Sequence, residues 1–216
     1  MTSTMRSELR LAVAPQVEKI VASGNDVRLR LTKVVSEAAC RCHEIDEGFV
    51  ELTHAVIDGA REGISKSMSN NRDDVLRQVV DALGDGLSHT ALAARLAVEE
   101  AVSSSRRYAE SDLRRLRDDL TAVRDLFTES VTQALNTGKA LTENQVAKAK
   151  THANRVAERL GPAFTSVLDA VRENPTVLAR ESIQAGVNAG QGAAESLGEA
   201  LRHLLKRACN KLDQER

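Results

Sequence analysis

The stretch CRCHEIDEGFVELTH, residues 40–54, is the densest run of metal-ligating side chains in the chain. On a single helix Cys40, His43 and Glu47 would share one face, and Glu51 and His54 stand three positions apart. That last spacing is half of a di-iron bundle signature, because a carboxylate at i and an imidazole at i+3 both reach a central metal from one helix. The complete site needs a second Glu-x-x-His and two further carboxylates on facing helices. Three positions before His89, His152 and His203 stand Gly86, Ala149 and Ala200, so no second motif exists. A zinc site would need another ligand pair at fixed spacing. The cluster therefore reads first as a solvated polar helix face and only second as a metal centre, and no cofactor is expected.

Other chemistries find still less. Nucleophilic catalysis on a glycine-flanked serine needs a strand-to-helix turn, and no part of the sequence alternates with the period of a strand. The glycines at 186–192 lack the Lys-Ser/Thr of a phosphate loop and follow no strand. The expectation is a protein that is not an enzyme and has no small-molecule substrate.

Those glycines pose a packing question instead. In SIQAGVNAGQGAAESLG (182–198), Gly186, Gly190, Ala194 and Gly198 recur every fourth position and would line one face of a helix. Each glycine inside a helix costs about 1 kcal/mol relative to alanine. Close approach of a neighbouring backbone offsets that cost by burial. In lipid such stripes pair helices, but Gln184, Asn188, Gln191 and Glu195 make this segment too polar to span a membrane. Gly59 and Gly63, in DGAREG, repeat the spacing and are the expected partner face. Downstream, Leu197, Leu201, Leu204, Leu205, Ala208 and Leu212 form an apolar stripe beside Arg202, His203, Lys206, Arg207 and Lys211. Such a basic amphipathic helix either faces a bundle core or lies on an anionic surface, and the core is the commoner use.

The composition bounds the answer. The chain has 216 residues, 42% hydrophobic and 28% charged, enough for a sizeable core. It has no Trp, one Tyr and three Phe, so the core must be built from Ala, Val and Leu, and stacking platforms for nucleic acid are lacking. Thirty Lys and Arg against 31 Asp and Glu leave a net charge of −1, which argues against nucleic acid as a partner. Three cysteines fit a reducing compartment. The apolar run after Arg10 is too short for a signal-peptide core, and no run approaches a membrane span, so a cytoplasmic, soluble protein is expected.

Helical periodicity then orders the elements. A first helix spans about 7–23, with Pro15 kinking or dividing it, and SGND at 23–26 is a stop and restart. A long second helix runs from Val27 to Met68. A third starts at Asp73 and continues through Ser103–Ser105 into a heptad seam of Leu113, Leu116, Leu120, Val123 and Phe127. Thr142 caps a fourth helix, broken at Gly161–Pro162, and a last one spans Thr176–Leu212. The Leu-Val-Val pattern at 31–38 returns at 76–83, an offset of 45, and is read as shared amphipathic pattern rather than a solenoid. A helix of 40 residues is about 60 Å long. The sequence thus predicts an all-α, elongated antiparallel bundle of about five helices, with residues 1–24 as a short N-terminal helix and 25–216 as one helical domain.

LAVEEAVSSSRRYAESDLRRLRDDL (96–120) and LARESIQAGVNAGQGAAESL (178–197) resemble an uncharacterised family of bacterial, all-helical proteins of similar length, from about residue 75 onward. That resemblance implies no activity, cofactor or catalytic residue. In composition, the Ala/Gln/Gly-rich last helix and the scarcity of aromatics look like phasins, the helical coats of storage granules. From the helical pattern itself the expected role is structural or interactive, through amphipathic faces and self-association, with a homo-oligomer or another protein as partner. The phasin likeness implies an alternative, a coat on membrane or granule surfaces.

Overall fold

The computed structural model describes residues 6–44, 49–67, 71–104, 108–136, 141–173 and 178–179. They form an all-α protein with six helices: α1 (Arg6–Ser23), α2 (Val27–Glu44), α3 (Phe49–Lys66), α4 (Arg72–Ser104), α5 (Glu110–Asn136) and α6 (Glu143–Glu173). Two residues at β1 (Tyr108–Ala109) pair in parallel with two at β2 (Leu178–Ala179).

Several boundaries differ from the periodicity, each for a physical reason. The expected helix 27–68 is two, α2 and α3, with α3 running parallel to α1, and residues 45–48 between them lie outside the described residues. The expected run through Ser103–Ser105 is also two helices. α4 ends at Ser104, since serine side chains compete for backbone groups, and Tyr108–Ala109 is extended. The last helix cannot begin at Thr176, because Leu178–Ala179 is extended and paired. In the opposite sense, Gly161–Pro162 does not break α6. Ala149, Ala153, Val156, Leu160, Phe164, Val167 and Ala170 bury one continuous stripe on both sides of it, while Pro162 points to solvent. That burial offsets the roughly 3 kcal/mol cost of an interior proline. α1 likewise runs unbroken past an exposed Pro15.

The caps follow local chemistry. Gly24 at φ 69° and Asp26 at φ 47° make the turn between α1 and α2, and the Gly24 N–H donates to Val21 O at 3.2 Å. At the start of α6, the Thr142 hydroxyl accepts from the Gln145 N–H (3.3 Å) and the Gln145 amide oxygen accepts from the Thr142 N–H (3.0 Å), a reciprocal capping box.

The packing is not that of a simple antiparallel bundle. The most extensive contacts join helices two apart in sequence: α1 with α3, α2 with α4, α4 with α6 and α3 with α5. α1 and α3 run parallel, since Arg10 meets Asp58, Ala14 meets Gly59, and Glu18 meets Gly63 and Lys66 in rising order. α4 and α6 also run parallel, with Asp73 on Lys148, Asp81 on His152 and Arg159, and Gly84 on Val156. The contact of α1 with α3 has a register of 45, Ala14 on Gly59 and Glu18 on Gly63, whereas α2, which carries the repeat found in the sequence, meets α4 at offsets of 50–57, from Ser36 on Gly86 to Arg28 on Asp85. Of the positions matched in the sequence, Leu31, Leu76, Val35, Val79 and Val80 are buried and Val34 is partly buried. The match at 31–38 and 76–83 is thus the common amphipathic pattern of two core-facing helices, not the register of α2 on α4. One hydrophobic cluster links all six helices, and α1 contributes Leu9, Val13, Val17, Ile20 and Val21 to it.

Candidate functional site

α4 packs between α2 and α6, and its two buried glycines make both contacts close. A Cβ at Gly86 would lie 2.5 Å from Val35 Cγ1 and 3.2 Å from Thr32 O. A Cβ at Gly84 would overlap Val156 Cγ1. The Gly86 carbonyl accepts from the Thr90 hydroxyl at 2.9 Å and from the Ser36 hydroxyl at 3.4 Å, which satisfies both buried hydroxyls. Sequence reading passed over GDG at 84–86, although two glycines in a helical run carry the same cost and the same hint as Gly59 and Gly63.

Between these glycines and the start of α4 lies a charged junction of three helices. The Asp81 side chain, 14% exposed, accepts from Arg159 at 2.8 Å. Its Oδ1 also lies 3.1 Å from His152 Nε2, without hydrogen-bond geometry. Arg28 of α2 lies 4.0 Å from Asp81 and 2.7 Å from Asp85. Burial by itself would raise the Asp81 pKa, but Arg159, His152 and Arg28 together hold it below the ordinary carboxylate value. These partners lie 53–78 positions away in sequence, so no local pattern signals them.

A carboxyl whose pKa is lowered by folding stabilises the fold above its unfolded pKa, and that stability is lost as pH falls through the folded value. Asp81→Asn should therefore reduce unfolding stability at pH 7 by about 1 kcal/mol, the scale of a partly exposed ion pair. The difference from wild type should shrink as pH drops below about 4. Urea unfolding across pH 3–7 checks this, and a gap that stays constant with pH would exclude the junction as a titrating clamp.

A groove of about 560 Å³ runs along the first turns of α4 and α6, lined by Asp73, Asp74, Arg77, Lys148, His152 and Arg155 among others. Its carboxylates are engaged within the fold. Asp73 accepts from Lys148 at 2.6 Å, and Asp74 accepts from Gln78 at 2.7 Å and from Arg77. Both carboxyls lie below their ordinary pKa, Asp73 chiefly through Lys148 and Asp74 chiefly through Gln78. The His152–Asp81 contact lacks the hydrogen bond that would orient the base of a nucleophile-activating triad. The adjacent Thr151 hydroxyl donates to Ala147 O at 3.1 Å, within its own helix. The groove's chemistry is that of helix pairing.

Past the junction, the outward face of α4 changes character. Asp74, Gln78, Asp81 and Asp85 give way to Leu92 and Leu96, one turn apart and 53% and 44% exposed. Val102, nearer the helix end, is 42% exposed. An i, i+4 leucine pair facing outward is what a helix presents to another helix.

The residues singled out by sequence fall in different places. The run 40–54 is not one helical face: Cys40 and His43 belong to α2, Glu51 and His54 to α3, and Glu47 lies outside the described residues, as do the side chains of Cys40 and His43. Among the described residues no group of three or more His, Cys, Asp or Glu is placed to hold a metal. Gly59 and Gly63 are buried at the contact with α1: a Cβ at Gly59 would overlap the Ala14 carbonyl and come within 2.9 Å of Ala14 Cα. One at Gly63 would lie 2.7 Å from Glu18 O and from Val21 Cβ. The neighbour at these glycines is thus α1. The face expected to meet them, Gly186, Gly190, Ala194 and Gly198, lies outside the described residues, as do Leu201, Leu205, Lys206, Arg207 and Leu212. Among the described residues, no helix is long and apolar enough to cross a membrane.

No curated protein and no solved structure matches the sequence. A family match does exist, and it extends well upstream of residue 75, through the stacked helices α1–α3 as well as the α4–α6 seam. Over residues 5–213 the chain belongs to a family of unknown function, DUF6781.

Proposed function

We propose that the protein is a non-enzymatic helical interaction protein that self-associates through the outward face of α4. The observation that supports this reading is the pair Leu92 and Leu96, two half-exposed leucines on successive turns of α4. Burying the half of one such side chain that is still exposed is worth about 0.7–1.5 kcal/mol, so the row favours a helix laid along it. The stacked architecture suits the role, because each layer is made by helices packed side by side in the same direction. A second copy of the chain is the partner of matching chemistry, rich in Ala, Val and Leu stripes.

Light scattering over a concentration series tests this. Wild type is expected to exceed the 23.4 kDa chain mass as concentration rises. Leu92→Glu/Leu96→Glu should remain at that mass with its helical signal and melting nearly unchanged, since both positions face solvent. Equal masses for the two proteins at every concentration would end the proposal.

A further inference from the structure

We infer that the dimer formed through the α4 row is an antiparallel two-fold pair, in which Leu92 packs on the partner's Leu96 and His89 donates to the partner's Glu99. The inference rests on the reading of this row as a docking surface. It adds the orientation of the second copy and the residues that select it.

The outward face of α4 carries a short seam. His89, Leu92, Leu96 and Glu99 are spaced 3, 4 and 3, the alternation of contact positions in a pair of supercoiled helices. Leu92, Leu96 and Glu99 are exposed and His89 is half-buried, so a partner can reach all four. The charges around them are met within the chain. Asp85, one turn before His89, is held by Arg28 of α2 at 2.7 Å, and Arg95, which borders the seam, pairs with Glu99 at 2.7 Å.

The order of these residues selects the orientation. A second α4 laid antiparallel, with the two-fold axis midway between Leu92 and Leu96, brings Leu92 onto the partner's Leu96. Three positions further out, the same register brings His89 onto the partner's Glu99. Two leucine layers then form the middle, and an imidazole–carboxylate pair closes each end. An imidazole N–H donates to a carboxylate whether the ring is charged or neutral. A parallel pair in register would instead set Glu99 on Glu99, and juxtaposed carboxylates oppose it. α4 ends at Ser104, which the antiparallel register sets opposite Gly84, so the overlap is about 30 Å of helix. The first turns of α4, where Asp74 and Asp81 are engaged within the fold, stay outside the contact.

His89 and Glu99 are ten positions apart on one helix, about 15 Å, too far to touch within a chain. A coupling between them in self-association is therefore a property of the dimer. Sedimentation equilibrium gives the dissociation constants of wild type, His89→Glu, Glu99→Lys and His89→Glu/Glu99→Lys. His89→Glu sets carboxylate on carboxylate at both ends of the seam, and Glu99→Lys removes both acceptors. Each should weaken association by about tenfold or more. The double variant restores the pair with its charges exchanged and should return to within about threefold of wild type. Effects of either substitution inside its own chain cancel in the cycle.

Cross-linking checks the orientation independently. In a Cys40→Ser/Cys42→Ser/Cys209→Ser background, His89→Cys and Glu99→Cys chains are mixed and oxidised. In the antiparallel pair copies of the same cysteine stand about 15 Å apart along the helices, beyond disulfide reach. The mixed disulfide should therefore exceed the two homodisulfides together by at least about fivefold. A double variant as weak as the product of the two singles, four equal dissociation constants, or no excess of mixed disulfide overturns the inference. If Leu92→Glu/Leu96→Glu still abolishes self-association in that case, the α4 row remains a docking surface in another orientation. If it does not, both readings fall.

Discussion

Gly59→Leu is expected to lower the melting temperature by about 6–12 °C. The position is a helix residue with no room on its outer side: a Cβ there meets the Ala14 carbonyl and Ala14 Cα, and Val17 Cβ at 2.9 Å. Two of these three are backbone atoms, so relief requires α1 to move as a whole. α1 also carries Leu9, Val13, Val17 and Val21 into the core, and its displacement strips contacts along its length. Overpacking of this kind costs about 3 kcal/mol, and in a chain of this size each kcal/mol shifts the midpoint by about 2–4 °C. Even Gly59→Ala should destabilise, although alanine is the better helix former by about 1 kcal/mol. Gly161→Ala is the control. It sits inside α6 with open space around its missing side chain and should stabilise slightly. Thermal unfolding by circular dichroism decides, and a Gly59→Leu protein that melts with wild type would mean that α1 does not pack as described.

Gly84→Ala is expected to cost about 2 kcal/mol, and Val156→Ala is expected to remove much of that cost. The obstruction at Gly84 is one methyl group, Val156 Cγ1; the remaining atoms of Val156 lie at 3.7 Å or beyond, at ordinary contact distance. Valine has essentially one rotamer in a helix, so the methyl cannot swing aside. Deleting it makes room for the new one. The double variant should therefore be more stable than the sum of the single variants by about 1–2 kcal/mol, within the range for residues in direct contact. Gly59→Ala combined with Val17→Ala should show little such recovery, because Ala14 O and Cα remain in place. Urea unfolding of the four proteins in each cycle measures both couplings. Simple additivity at Gly84 and Val156 would mean that α4 and α6 are not in register as described.

The two cases separate what periodicity reveals from what it hides. The apolar spacing located the buried faces: Val27, Leu31, Ala38, Leu52, Val56, Leu76, Val79, Leu83, Leu87 and Ala91 recur on helical stripes and are buried. Thr142 as a cap and SGND as a turn were equally readable, since a cap or a turn is satisfied by groups within a few residues. Gly161–Pro162 and Ser103–Ser105 were misjudged in opposite directions. A proline's cost is local, but the stripe that outweighs it extends from Ala149 to Ala170. The serines act the other way, because a continuous apolar pattern on either side does not oblige the backbone to continue between.

By itself the sequence determined that this chain is helical, which faces of its helices are apolar, where several helices begin, and that small residues at Gly59 and Gly63 mark a close approach. Those properties depend on residues within one or two turns of each other, over which hydrogen bonding and side-chain direction are set by 3.6-residue geometry. Only the tertiary structure decided that α1 is the helix against Gly59 and Gly63, that α4 and α6 run parallel, and that Arg28, His152 and Arg159 meet at Asp81. An apolar stripe is satisfied by any apolar stripe, because the hydrophobic effect is non-directional. The choice among partners comes from backbone proximity, methyl-against-glycine fit and charges brought together across 53–78 positions of chain, and none of these leaves a mark in a short window of sequence.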